Sequence, residues 1–121
     1  MPSDAHRGDA PHHALPPESV PPEGCQTMAE LRAQIDRVDR VLVRLLAERQ
    51  GYIERAAQIK AERGQVRDPA RIEDVVAKVL VEAVHAGLSA EIAEPVWRLL
   101  IERSIAHEFE AFDRRGDQVP S

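Results

Sequence analysis

Two cations stand on a helix face that would otherwise be aliphatic. Leu31, Ile35, Val38, Leu42, Leu45, Arg49, Tyr52, Ala56 and Ile59 recur with 4-3-4-3 spacing, the period of a helix that packs along one stripe. Arg49 interrupts that stripe, where a buried guanidinium without a partner would be very costly. Lys60 follows eleven residues later. At about 100° per residue this returns it to within about 20° of the same face, about 16 Å further along. Two long cationic side chains so placed can close on an anionic ligand between them. Two plainer readings stay open: a polar layer that fixes the register of a coiled coil, or an arginine snorkelling past its neighbours. Arg32 is turned about 100° from Arg49 and points elsewhere, for instance across a seam between two copies of the chain. A second group lies near the C-terminus. Ser104 and Glu108 are one turn apart on the line that carries Trp97 and Ile101, and Glu108 breaks an apolar face. A carboxyl there is either a ligand-facing group or one half of a structural salt bridge to an arginine. His107 reads as a surface neighbour.

Three helices are needed to position these groups. The first pattern runs unbroken from Met28 to about Arg63, with Gly64 as its expected C-terminal stop. The second starts at Asp68-Pro69, an N-cap followed by proline at the first helical position, and stops at Gly87. Ile72, Val75, Val76, Val79 and Val84 supply its apolar side. Ser89 caps the third, whose stripe is Ile92, Val96, Trp97, Leu100, Ile101, Ile105, Phe109 and Phe112. Pro95 predicts a kinked first turn, or a restart with Glu94 as cap. No stretch alternates like a strand, so the fold class is all-α. A first helix of about 36 residues would be about 54 Å long. A compact domain of about 90 residues is only about 30 Å across. The chain cannot wrap such a helix alone, which predicts a homodimer.

At 121 residues the chain has room for one domain, predicted over residues 28–115 between a tail at 1–27 and a short tail at 116–121. The N-terminal tail is Pro-rich, aperiodic and expected to be disordered. His6, His12 and His13 within it would need a scaffold to capture a metal. Aromatics make up only 3% of the residues and the net charge is −5, which argues against a nucleic-acid partner. Basic residues nevertheless outnumber acids between Arg32 and Arg71, so a local anion site is compatible with an acidic chain. The single cysteine, Cys25, excludes an intrachain disulfide. With no membrane-length apolar run and no secretory apolar region, a cytoplasmic protein with no membrane partner is expected.

The set resembles the all-helical (AroQ) class of chorismate mutases. The resemblance rests on Leu31-Arg32-Ala33-Gln34-Ile35-Asp36-Arg37-Val38-Asp39, on Leu45-Leu46-Ala47-Glu48-Arg49, on Lys60, and on Val66-Arg67-Asp68-Pro69-Ala70-Arg71. It covers roughly residues 29–112. It implies a three-helix protomer intertwined with its copy as a dimer. It also implies that Arg49 and Lys60 hold one carboxylate and the ether oxygen of chorismate. Arg32 would bind a carboxylate in the other subunit's site, Arg71 would complete the basic lining, and Asp68 would sit by the ring hydroxyl. Ser104 and Glu108 would close the site from the third helix. The rearrangement of chorismate to prephenate breaks a C–O bond and forms a C–C bond in one step. It needs no nucleophile and no cofactor, only the reactive conformer and stabilisation of charge growing on the ether oxygen.

Two positions depart from that pattern. The residue after Arg71, usually a glutamate facing the ring C4 hydroxyl, is Ile72, and the third-helix position commonly held by glutamine is Glu108. An apolar Ile72 suits a substrate without that hydroxyl, such as the isochorismate used by isochorismate-pyruvate lyases on the same scaffold. Asp68 and Ser104 favour the mutase. A mutase for an amino-substituted chorismate is a further alternative. The reading from another class is a catalytically inactive helical dimer serving as a regulator. Loss of two or more of Arg32, Arg49, Lys60 and Arg71 would point there, and all four are present.

Overall fold

The structure, a computed structural model, describes residues 19–116. It contains three α-helices: α1 (Met28–Ile59), α2 (Pro69–Ala86) and α3 (Ala90–Arg115). Short 3-10 turns lie at Pro22–Gly24 and Arg63–Gln65. No strand occurs among the described residues, and none of the helices is long and apolar enough to cross a membrane. The chain divides within α1 into two compact units, the boundary falling between Arg44 and Leu45.

In the first unit, Thr27 caps α1: its Oγ accepts the Glu30 N–H at 3.1 Å, while the Glu30 carboxylate accepts the Gln26 N–H. Residues 19–27, expected to belong to an unstructured tail, follow a defined course instead. The Val20 N–H donates to Gln34 Oε1 at 3.1 Å, and Val20, Pro21, Pro22 and Cys25 line a groove with Leu31, Ile35 and Val38. This short segment has apolar surface to lay on α1, which composition alone does not reveal. His6, His12, His13 and the C-terminal residues 117–121 lie outside the described residues. No group of three or more metal-ligating side chains occurs among those described.

In the second unit the helix signals in the sequence act locally and as expected for α2 and α3. Asp68 accepts the Arg71 N–H at 3.1 Å, Pro69 opens α2, and Gly87 closes it at φ 76°, a conformation that favours glycine. Ser89 caps α3, which continues through Pro95 as one helix, so neither a restart nor a new cap at Glu94 occurs. The core is aliphatic: Val66, Val76, Ile101 and Ile105 are buried, with Ile72, Val75, Leu80, Trp97, Phe109 and Phe112 packed against them. Each such burial contributes roughly 1.5–3 kcal/mol. Val84, Ile92 and Val96 do not join this core; Val84 is 77% exposed.

α1 ends about one turn before the predicted stop. Gly64 sits inside the 3-10 turn and has no left-handed backbone. The connector at 60–68 is fastened to α3 by two ion pairs, Arg63–Asp113 and Arg67–Glu102. Hydrogen bonds from these guanidinium groups hold Asp113 and Glu102 below the usual carboxylate range. Both pairs are exposed, so they guide the connector more than they stabilise the fold.

The apolar stripe of α1 stays open to solvent in the single chain. Ile35, Val38, Leu42, Leu45, Tyr52 and Ile59 are all exposed, from 42% to 69%. An exposed apolar stripe of this kind, interrupted by Arg49, marks an interaction face.

Candidate active site

The second unit gathers seven of the eight singled-out residues around one cavity of about 360 Å³, within the range of small-molecule sites. Arg49 reaches it from α1 and Lys60 from the first residue of the connector. Asp68, Arg71 and Ile72 come from the start of α2, and Ser104 and Glu108 from α3. The eighth, Arg32, stands exposed on the first unit. The apolar walls are Ile53, Ala56, Val66, Val75, Ile101 and Ile105, with Gln65 at the connector. A periodic signal for part of this wall was present in the sequence. Arg49, Ile53, Ala56 and Lys60 form their own 4-3-4 stripe, so Ile53 and Ala56 must flank any ligand held by the two cations.

Each of these two cations meets a polar group of α3. Arg49 Nη1 donates to Ser104 Oγ at 2.8 Å, and Lys60 Nζ pairs with Glu108 Oε2 at 2.6 Å. The Glu108 side chain is 5% exposed and the Lys60 side chain 29%. The salt bridge anticipated for Glu108 therefore exists, but its partner is a lysine and not an arginine. Burial, with the like charge of Arg71 nearby, lowers the pKa of Arg49 from its ordinary value. The guanidinium stays charged, since arginine does not deprotonate in proteins. Arg71 Nη1 bonds Asp74 at 2.8 Å on the exposed side of α2.

His107 has a role that the sequence reading passed over. Its Nε2 lies 2.7 Å from Glu54 Oε2, linking α3 to α1 outside the cavity. The hydrogen bond from His107, followed by that from Gln50, holds Glu54 below its usual range.

Chemically, the lining sets three cations, Arg49, Lys60 and Arg71, against the carboxylates of Asp68 and Glu108. The Asp68 carboxylate is engaged by the α2 N-terminus and that of Glu108 by Lys60. The apolar walls flank those charges, which strengthens their grip on an anion relative to open solvent. No side chain here is arranged as a nucleophile beside a base. The cavity suits binding and electrostatic stabilisation of a small anionic ring compound.

Comparison with known proteins gives concordant results. The family model described as chorismate mutase type II matches residues 31–109. The chain is 30% identical over 87 residues to an isochorismate pyruvate lyase of Pseudomonas aeruginosa, covering 72% of this chain and 86% of that protein. It is 31% identical over 84 residues to the T-protein of Haemophilus influenzae, covering 69% of this chain and 22% of that protein. It is also 33% identical over 76 residues to a bifunctional chorismate mutase/prephenate dehydratase of Buchnera aphidicola, covering 62% of this chain. The chain spans about a fifth of the length of these last two relatives.

Proposed function

Since the chain belongs to the type II chorismate mutase family and is an enzyme of that class, we propose that it converts chorismate to prephenate in the cavity between α1, α2 and α3. The observation that supports this reading most strongly is the convergence of Arg49, Lys60 and Arg71 on one aliphatic-walled cavity. Guanidinium forks match carboxylates, and an aliphatic wall matches a carbon ring held in a compact conformer. Arg49 and Lys60 act on a carboxylate and on the ether oxygen as its C–O bond breaks, while the C–C bond forms across the ring. Ser104 keeps the Arg49 fork aimed inward. Loss of chorismate absorbance, with prephenate identified as product, tests the proposal. An enzyme that leaves chorismate untouched would refute it.

The site is completed in a homodimer, with Arg32 of one protomer reaching the cavity of its partner. The open stripe of α1 supports this assembly, because about 48 Å of helix cannot stay apolar and bare. Thermal unfolding is expected to shift upward with protein concentration, since dissociation exposes the stripe. Sedimentation showing a folded monomer at micromolar concentration would contradict the dimer.

Two observations favour a second reading. Ile72 lines the cavity and offers no hydrogen bond to a ring hydroxyl, and the relative matched over most of its length is named for lyase activity on isochorismate. Under this reading isochorismate gives pyruvate and salicylate. Ile72→Glu separates the two. In a mutase it is expected to leave turnover of chorismate intact or raise it by supplying a partner for the hydroxyl. In a lyase it should lower turnover of isochorismate by about tenfold, the cost of a charge left unpaired against an apolar substrate face.

A further inference from the structure

α1 lacks the local cap that ends α2. Gly87 is the one described glycine with a left-handed backbone, and the last carbonyls of α1 are met instead by a side chain from the C-terminal end of α3. Arg115 Nη1 donates to the carbonyl of Ala57 at 2.8 Å and to that of Lys60 at 2.6 Å. Longer contacts reach the carbonyls of Gln58 and Ala61, each at 3.4 Å. The guanidinium lies over the Phe112 ring at 3.7 Å, which fixes its plane. A cation at this spot also suits the negative end of the α1 dipole.

Lys60 is consequently held at three points. Its N–H donates to the Ala56 carbonyl at 3.0 Å, its own carbonyl receives Arg115, and its ammonium meets Glu108. Glu108 and Arg115 are seven residues apart, which places them within about 20° of each other on α3. One face of α3 grips both ends of the same lysine. We infer that Arg115 is a positioning residue: it fixes the backbone from which Lys60 extends into the cavity, and it acts through Lys60 without touching substrate. This rests on the reading of the cavity as the active site.

A slack helix end would let the ammonium wander from the ether oxygen in the transition state, more than it would weaken substrate binding. Arg115→Ala is therefore expected to lower kcat about tenfold with KM changed by less than about threefold, and with the protein still folded. Arg115→Lys, which keeps a charge and some donors, should lie between. In a Lys60→Ala background, Arg115→Ala should cause no further loss, because the residue it positions is gone. Unchanged kcat in both single variants, or a full additive loss in the double variant, would overturn the inference. If Arg115→Ala does not fold, Arg115→Lys decides it: a kcat at the wild-type level overturns the inference. A direct readout is the ¹⁵N signal of the Lys60 ammonium, sharp while bonded to Glu108 and broadened in either Arg115 variant. If the wild type turns over neither chorismate nor isochorismate, the reading of the cavity fails. The ammonium signal then still decides whether Arg115 holds Lys60, and an unchanged signal overturns it.

Discussion

Arg49→Ala and Lys60→Ala are each expected to lower kcat/KM for chorismate by about 10²-fold or more, with the protein still folded. Both side chains enter one cavity, from α1 and from the residue that follows it, and each is aimed by a polar group of α3. Charge that grows on an ether oxygen is stabilised more by a cation already fixed in place than by solvent that must reorganise. The two substitutions should differ in their structural cost. Arg49→Ala leaves the Ser104 hydroxyl, which can turn to another partner. Lys60→Ala leaves the carboxylate of Glu108, 5% exposed, without its cation, and breaking a buried pair from one side is strongly destabilising. The Lys60→Ala variant should therefore melt earlier than wild type, and adding Glu108→Gln should restore most of that loss without restoring activity. Steady-state kinetics beside thermal melts separate the two effects. Unchanged activity with lower stability would assign Arg49 to register-fixing alone.

Glu108→Gln is expected to keep kcat/KM for chorismate at or above the wild-type level at pH 8. A carboxylate repels the charge developing on the ether oxygen, whereas a glutamine amide donates a hydrogen bond to it at any pH. The amide oxygen can still accept from Lys60 Nζ, which lies 2.6 Å from Glu108 Oε2, so the ammonium keeps its partner. Steady-state kinetics of the two proteins at pH 8 decide it. An inactive Gln variant would show that Glu108 works as an anion that orients Lys60.

The sequence was most informative where structure is made by neighbours. Asp68-Pro69, Gly87 and Ser89 set helix ends through contacts within a few residues, and each acts as its type predicts. Arg49, Lys60 and Glu108 could be singled out because charge on an apolar stripe is conspicuous, and Ser104 because it lies one turn from Glu108; Arg71, Ile72 and the ligand role of Asp68 came only with the family resemblance. Misreadings arose where a distant residue decides the outcome. The last carbonyls of α1 are met by Arg115, more than fifty residues away, whereas Gly64 looked like the natural stop. The partner of Glu108 is a lysine on another helix, and helical periodicity cannot say which cation will meet it. Val84, Ile92 and Val96 have the spacing of core residues but remain on the surface of a single chain. Periodicity reports that a face will be covered, not by which molecule. Val20 and Cys25 lie in a Pro-rich segment whose composition hides the groove they form on α1.

The central claim is that this cavity rearranges chorismate. Its most direct test gives the purified protein equimolar chorismate and isochorismate in one reaction and identifies the products by chromatography. The predicted result is prephenate from chorismate as the main product, lost in Arg49→Ala. Salicylate and pyruvate from isochorismate, with no prephenate formed, would contradict it.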